Sequence, residues 1–304
     1  MQFVMTGGTG FIGRALCASL FQDGHRVAVL TRNAREASYL LGATVTAVEW
    51  HGQESGAWEE SLEGADAVIN LAGAPIADAR WTDARKRLLT DSRVRTTRRL
   101  VDVMSQRSSK PITLISASGI GYYGAGDDRV LDEGAPRGDG FLADLSAAWE
   151  EEALRAEQFG ARVVLLRTGM VLERDGGALP RMLLPFRLFV GGPIMPGTQW
   201  ISWIHRHDLV GLIKWALANT TLWGPINAVA PSPVTMTELS STLGQVLQRP
   251  SWLPVPEFVV KVALGELGSL MTTGQRVHPA KAIASGFVFQ YPTLEPALWA
   301  ILKK

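Results

Sequence analysis

The chain has 304 residues, of which 46% are hydrophobic and 19% are charged, and its formal net charge is +1. Such a chain can bury a large core, and its balanced charge gives no reason to expect nucleic acid or a strongly acidic partner. Cys17 is the single cysteine, which excludes an intrachain disulfide and favours a reducing compartment. Because no apolar run reaches the roughly 18 residues that a membrane span needs, we expect a cytoplasmic protein without membrane attachment.

A glycine-rich turn over residues 6–13 separates a short apolar run at residues 3–5 from a helical pattern that ends near residues 23–24. Gly7 allows the tight turn, Gly10 lets the backbone approach a pyrophosphate, and Gly13 lets the helix pack closely on the strand. The N–H groups and the dipole at the start of a helix favour phosphate. The turn therefore predicts a dinucleotide site with contacts from Gly7, Gly10, Phe11, Ile12 and Gly13, although such a turn can also merely connect two elements.

The end of the second predicted strand, at residues 26–30, indicates which dinucleotide is bound. This strand is followed by Thr31 and Arg32. A site that prefers NAD normally places Asp or Glu about 20 residues beyond the glycines, where it binds the ribose 2′-hydroxyl. Arg32 stands at that place and can pair with a 2′-phosphate through its planar fork. We predict NADP(H) as the cofactor; the alternative is a solvated arginine at a strand end.

Four more apolar runs, at residues 45–50, 65–70, 112–115 and 163–166, bring the predicted strands to six. Because they alternate with helical segments, we predict an α/β protein with a Rossmann doubly wound parallel sheet. Small residues after the fourth strand lie where the sheet edge would face a dinucleotide, although they can also form an ordinary turn. The serines after the fifth strand, within residues 116–124, can hydrogen-bond a substrate carbonyl or hydroxyl, or simply interrupt a loop.

A long basic helix is predicted over residues 83–107. Most of its arginines are interpreted as a solvated face. Beyond residue 172 the alternation weakens, and glycine and proline become common. We therefore predict an NADP-binding Rossmann domain over residues 1–172 and a smaller C-terminal α/β substrate or lid domain over 173–304, with a strand at 226–229 that can return to the first domain.

Several stretches along the chain are similar to the extended short-chain dehydrogenase/reductase superfamily, and within it to the divergent epimerase family 39U. The similarity covers nearly the whole chain, and the longer late stretches are the most specific. The stretches that carry it are residues 6–13, 31–32, 70–73, 92–93, 121–123, 167–172, 183–188, 191–194, 203–205 and 274–277.

The resemblance implies a cofactor site that combines several of these stretches. The resemblance assigns Arg93 of the basic helix to the cofactor site, whereas the other arginines of that helix keep their interpretation as a solvated face. Beyond the glycine turn, the predicted cofactor contacts are Thr31, Arg32, Leu71, Ala72, Gly73, Arg93, Ser116, Arg167 and Val171. The loops around Gly191, Trp203 and His205 are expected to hold the substrate. The five histidines and the cysteine show no metal-ligand spacing, so we predict no metal.

The resemblance also implies a proton-transfer site, and here the sequence departs from the superfamily pattern. Superfamily enzymes use a tyrosine, a lysine four residues later that lowers its pKa, and a serine or threonine on the fifth strand. Ser118 fills the serine position, whereas Phe141 and Leu145 occupy the tyrosine and lysine positions. We predict Ser118 as catalytic, with Tyr122 or Tyr123 reaching the same space; both tyrosines can equally be pocket wall.

Two functions remain open at this point. In the first, the protein is an NADP(H)-dependent oxidoreductase or epimerase, similar to nucleotide-sugar epimerases, that acts on a carbonyl or hydroxyl of a small polar molecule. In the second, it binds NADP(H) without turnover and reports redox state to a partner. The complete substrate-type domain favours the first, and the loss of the tyrosine–lysine pair favours the second. We expect a small-molecule substrate and leave a homodimer open.

Overall fold

The computed structural model describes residues 1–52, 54–106 and 112–303. Its strands are β1 Gln2–Thr6, β2 Arg26–Thr31, β3 Thr46–Glu49, β4 Ala67–Asn70, β5 Thr113–Gly119, β6 Val130–Leu131, β7 Arg162–Thr168, β8 Met170–Glu173, β9 Gly176–Gly177, β10 Trp200–Ile201, β11 Trp203–His205, β12 Gly224–Ala228, β13 Val234–Thr235 and β14 Arg276–Val277. Its helices are α1 Phe11–Gln22, α2 Ala34–Leu41, α3 Asp83–Asp91, α4 Val94–Ser105, α5 Phe141–Leu154, α6 Leu179–Arg187, α7 Arg206–Ala218, α8 Met236–Leu247, α9 Glu257–Leu264, α10 Glu266–Thr272, α11 Ala280–Ala284 and α12 Leu294–Leu302.

Seven of these strands form one sheet in the order β12-β7-β5-β4-β1-β2-β3, and every pairing within it is parallel. The chain winds outward from β1 in both directions, so the strand order reverses beside β1. This arrangement confirms the predicted Rossmann doubly wound sheet. In such sheets ligands bind at the carboxyl ends of the strands, next to the reversal.

The sheet is buried on both faces, because side chains alternate along each strand. On one face, Phe3 and Met5 of β1 pack with Leu16 of α1 and with α7. On the other face, Val4 packs with Leu100 of α4 and with the end of α5. Helices on both faces hold the strand ends in fixed positions, so the side chains at the carboxyl edge rest on a rigid support.

The predicted long helix is wrong in one respect: it is two helices, α3 and α4, with Ser92 and Arg93 between them. The hydroxyl of Ser92 donates to the Leu89 carbonyl and accepts the N–H of Ala74 from the loop after β4. A serine hydroxyl that bonds the neighbouring backbone competes with helix continuation. The break places Arg93 beside the sheet edge. The predicted end at Arg107 lies outside the described residues.

The part of the chain after residue 172 contributes to two cores. Trp203 and Leu183 belong to a separate hydrophobic cluster with α8 and α12. In contrast, β12 pairs with β7, and Leu209 of α7 packs in the core of the main sheet. The division at residue 172 stays a prediction. Across the described ranges, no helix has both the length and the apolar character to cross a membrane.

Candidate functional site

At two positions of the turn after β1, the surrounding backbone leaves no room for a side chain. Gly7 has a φ of +69°, and a Cβ there would lie 2.7 Å from the carbonyl carbon of Leu71. A Cβ on Gly13 would lie 2.3 Å from the Gly7 carbonyl oxygen. These contacts match the tight turn and the close helix packing that the sequence suggests. The turn therefore brings the start of α1 against the loop after β4.

The other side of the turn is open. A Cβ on Gly10 would meet the Gly7 carbonyl oxygen at 3.1 Å and otherwise enter free space. Gly10 is the N-cap residue of α1, which has neither a side-chain cap nor an acidic residue in its first turn. Uncapped N–H groups at a helix start bind anions. This cradle therefore fits the pyrophosphate of a dinucleotide.

The ends of β2 and β4 border this cradle. Arg32 follows β2 and is exposed, and no side chain of the described ranges forms an ion pair with it. Thr31 comes directly before it. After β4, the N–H of Leu71 donates to the Thr6 carbonyl, and the N–H of Ala72 donates to the Thr6 hydroxyl. These bonds fix the small residues next to the glycine turn.

A cavity of about 380 Å³ lies at the carboxyl ends of β5 and β7. That volume is in the range of small-molecule sites. Its wall is mainly apolar, with Ser118 and Arg93 among its polar members. The residues that line it include Ile76, Arg93, Ser118, Gly119, Ile120, Gly121, Leu142, Leu145, Ser146, Trp149, Thr168, Met170, Trp200, Ile201, Ser202, Thr273, Gly274 and Gln275.

The hydroxyl of Ser118 belongs to a buried polar network. Its Oγ donates to Oε1 of Glu150 at 2.6 Å. Nε and Nη2 of Arg167 donate to the two oxygens of that carboxylate, each at 2.8 Å. Burial alone opposes the charge on Arg167, but the hydrogen bonds and charge of Glu150 outweigh it and raise the pKa of Arg167. Ser118 thus faces the cavity with its proton directed to a fixed carboxylate.

The two predicted tyrosines pack on the same arginine. Tyr123 is buried; its hydroxyl accepts a hydrogen bond from Arg167 and donates to Oδ1 of Asn227 at 2.7 Å. Burial raises the pKa of Tyr123, against the lowering effect of Arg167. The Arg167 guanidinium lies 3.5 Å from the ring centre of Tyr122. Neither tyrosine is among the residues that line the cavity, and both rings pack on Arg167.

Two of the predicted cofactor residues are held inside the protein instead of at its surface. Ser116 is 1% exposed, and its hydroxyl accepts a hydrogen bond from the amide of Asn70. Arg167 is engaged with Glu150, as described above. Val171 lies in β8, next to β9, whose Gly176 packs on the Phe11 ring. Ser116 and Arg167 therefore support the strand ends rather than lie open to a ligand.

The predicted substrate contacts Trp203 and His205 do not line the cavity described here. Trp203 is fully buried in the cluster of α6, α8 and α12, and its indole N–H donates to the Ser232 carbonyl. His205 caps α7, where its Nδ1 accepts the N–H of His207, and its ring stacks on Tyr291. The reason is that β11 pairs with β8 in the interior, so the preceding residues Trp200 to Ser202 reach the cavity instead. Gly191 also does not line it; this loop packs on Phe186.

A loop from the late part of the chain completes the cavity wall. Ser202 donates to the Gln275 carbonyl and accepts the N–H of Val277, which holds residues 273–275 at the cavity. Among the residues that the structure describes, no group of three or more His, Cys, Asp or Glu side chains is arranged to hold a metal ion.

Comparison with known proteins identifies the family. The model of the NAD dependent epimerase/dehydratase family matches residues 3–226. The chain belongs to this family. A domain of unknown function, DUF1731, matches residues 255–301 of the same chain.

Individual members of the epimerase family align over nearly all of the chain. The chloroplastic homologue of epimerase family protein SDR39U1 from Arabidopsis thaliana is 43% identical over 100% of this chain and 87% of its own length. Epimerase family protein YfhF from Bacillus subtilis is 42% identical over 98% and 97%. The crystal structure of human SDR39U1 (isoform 2) with NADPH is 33% identical, covers 100% of both chains and has a TM-score of 0.87. These matches confirm the resemblance on which the sequence interpretation rests.

In this member of the epimerase family, apolar side chains occupy the positions of the usual tyrosine and lysine, and the structure shows what each of them contacts. Leu145 lines the cavity, and Phe141 packs edge-on against Trp81. Sequence reasoning missed Glu150, the partner of Ser118. A signal was present: Ser146, which lines the cavity, and Glu150 stand at helical spacing on α5.

Proposed function

We propose that the protein is an NADP(H)-dependent oxidoreductase or epimerase, similar to nucleotide-sugar epimerases, that acts on a carbonyl or hydroxyl of a small molecule. The observation that carries the proposal is the shared sheet edge. The open glycine cradle follows β1, and Ser118 is the second-last residue of β5, with only β4 between the two strands. Strand spacing puts the two about 10 Å apart, a distance that an extended dinucleotide spans easily.

The cofactor side of this proposal rests on the cradle and on Arg32. The glycine turn would hold the pyrophosphate, Thr31 and Arg32 the 2′-phosphate, and Leu71 to Gly73 the ribose. The NADPH in the human relative's crystal structure supports the same cofactor here. When bound, NADPH supplies a hydride at the nicotinamide C4. The single buried Cys17 supports a reducing cytoplasmic location.

On the substrate side, we propose that Ser118 and Glu150 manage the proton. Because the Ser118 proton is directed to Glu150 Oε1, the serine oxygen is free to accept a hydrogen bond from a substrate hydroxyl. As that hydroxyl loses its proton to Oγ, the Oγ proton moves to Oε1. The reverse transfer returns a proton to a substrate carbonyl oxygen. Arg167 holds the carboxylate in position for both directions.

The test compares two serines of the cavity. After a screen of aldehydes, ketones and alcohols with NADPH or NADP⁺ identifies a substrate, Ser118→Ala should lower turnover about 10²–10⁴-fold and leave NADPH affinity intact. Ser146→Ala removes a hydroxyl from the same cavity but outside the network, and serves as the matched control. Equal effects of the two substitutions would remove Ser118 from the proton path.

The second candidate function is an NADP(H)-binding protein that reports redox state without turnover. Phe141 and Leu145 favour it, because neither can donate or tune a proton. The double substitution Phe141→Tyr with Leu145→Lys separates the two functions. Tight NADPH binding without turnover in both the wild type and this variant would favour the binding protein and contradict the enzyme.

A further inference from the structure

The cavity wall contains apolar side chains from two parts of the chain that do not form the cofactor cradle. Leu142 and Leu145 stand at the start of α5, whereas Ile201 and Leu270 belong to the C-terminal part of the chain. All four lie outside the glycine turn and outside the ends of β1, β2 and β4, which border the cradle. This apolar part of the wall is therefore separate from the residues that would hold a dinucleotide.

Most polar side chains of the same wall already donate their protons to the protein. The Thr168 and Thr273 hydroxyls each donate to a backbone carbonyl, at 3.2 Å and 2.8 Å. The Ser202 hydroxyl donates to the Gln275 carbonyl at 2.7 Å, and the Gln275 side-chain amide donates to another backbone carbonyl. Because a hydroxyl has a single proton, these three hydroxyls have no donor left for a ligand.

Two further hydroxyls of the wall, those of Ser118 and Ser146, differ from the others. The Ser118 proton is directed to Glu150, which leaves the serine oxygen as an acceptor. Ser146 is 7% exposed, and its hydroxyl has no hydrogen-bond partner among the described residues. A sugar ring carries several hydroxyls, and a hydroxyl that is buried without a partner costs affinity. The wall therefore matches a ligand with one oxygen to bind and an apolar remainder.

We infer that the substrate is an apolar ketone or the corresponding secondary alcohol, and that a sugar ring is disfavoured in this cavity. The inference rests on the proposed function for the role of Ser118, and it departs from nucleotide-sugar epimerases in the substrate. In the reaction, the carbonyl carbon takes a hydride from NADPH and the oxygen takes a proton through Ser118, so the products are NADP⁺ and the alcohol. Leu142, Leu145 and Leu270 contact the apolar body, whose burial supplies the binding energy.

The experiment compares 4-phenylcyclohexanol with phenyl β-D-glucoside, which are similar in shape but differ in their number of hydroxyls. Binding of each to the full chain is measured by calorimetry with NADPH present, because an alcohol and NADPH are both reduced and do not react. We expect the cyclohexanol to bind about 10-fold or more tightly than the glucoside, since hydroxyls without partners oppose burial. Equal affinities, no binding of the cyclohexanol, or tighter binding of the glucoside or of UDP-glucose would each overturn the inference.

A substitution in the wall then assigns the preference to this cavity. Leu142→Gln adds a polar side chain at a half-buried position of α5, and it should bring the two affinities closer together by about 5-fold or more. Leu184→Gln makes the same change on α6, where the leucine is 58% exposed, and should leave both affinities unchanged. If Leu142→Gln melts like the wild type and leaves the ratio of the affinities intact, the wall does not select the ligand and the inference is overturned.

Turnover of 4-phenylcyclohexanone separates this inference from the proposed function. Oxidation of NADPH by the ketone in the wild type, reduced in Leu142→Gln, supports both. Tight binding of the cyclohexanol without any oxidation of NADPH by the ketone supports the apolar site and contradicts the enzyme. Turnover of a sugar nucleotide without a preference for the cyclohexanol supports the enzyme and overturns the inference.

Discussion

Removing the arginine of the buried ion pair should be far more damaging than removing an exposed one. Arg167→Met leaves the Glu150 carboxylate buried, with the Ser118 hydroxyl as its remaining hydrogen-bond donor among the described residues. The substitution also removes a donor to the Tyr123 hydroxyl. The Arg167 and Glu150 side chains are 5% and 6% exposed. Breaking a pair of this kind typically costs about 3–5 kcal/mol, because an uncompensated charge remains in the interior.

The measurement is the free energy of unfolding from urea titration. Arg95→Met is the matched control, since Arg95 pairs with Asp91 at a site where the two side chains are 60% and 40% exposed, and its loss should cost about 1 kcal/mol or less. Adding Glu150→Gln to Arg167→Met should recover about 2 kcal/mol, because the buried group is then neutral. Equal costs for Arg167→Met and Arg95→Met, or no recovery in the double variant, would refute the reasoning.

Two further predictions concern Arg32 and Cys17. Arg32→Ala should weaken NADPH binding about 10–100-fold and leave NADH binding unchanged, because only NADPH carries the 2′-phosphate; fluorescence titration checks this, and an equal loss for both nucleotides would contradict it. Burial raises the pKa of Cys17 from 9.0 to about 12, so the native thiol should resist iodoacetamide at pH 8 and react once urea unfolds the chain. The stability from this thiol is complete below pH 9 and is lost as the pH rises towards 12, and Cys17→Ala should remove that dependence in alkaline melts.

The sheet was predictable because its signals are local. Each strand is a short apolar run beside a glycine or a polar cluster, and the parallel order follows from the alternation with helices. The glycine turn is equally local, since the clash at Gly13 involves Gly7, six residues away. The dependence on local signals also explains why the sequence predicted one long helix where the structure has a break at Ser92. Its hydroxyl bonds to Ala74, 18 residues earlier, and no helical periodicity records such a contact.

The cavity was less predictable because distant segments build it. Trp200 and Gly274 are adjacent in space: a Cβ on Gly274 would lie 1.9 Å from the Trp200 carbonyl oxygen. The sequence predicts that the loops around Gly191, Trp203 and His205 hold the substrate, whereas pairing of β11 with β8 buries residues 203–205. A motif match identifies a segment without telling which of its residues faces the ligand. The sequence did not predict the role of Glu150 for a related reason. Glu150 accepts the Ser118 proton only because α5 packs against β5 in the folded protein.

The apolar residues at positions 141 and 145 affect the electrostatics of the cavity. The reason is that Arg93 lies in the same wall as Leu145 and has no anionic partner among the described residues. Arg167 and Glu150 neutralise each other, so Arg93 is the uncompensated charge among the described residues of the cavity wall. A lysine at position 145 would add a second cation to the same cavity wall, and like charges in one site disfavour each other. With leucine there, Arg93 is the one formally charged side chain among the described residues of an otherwise largely apolar wall, where its attraction for an anion is strongest. The loss of the lysine therefore removes the usual tuning of a tyrosine and leaves Arg93 as the cation of this wall.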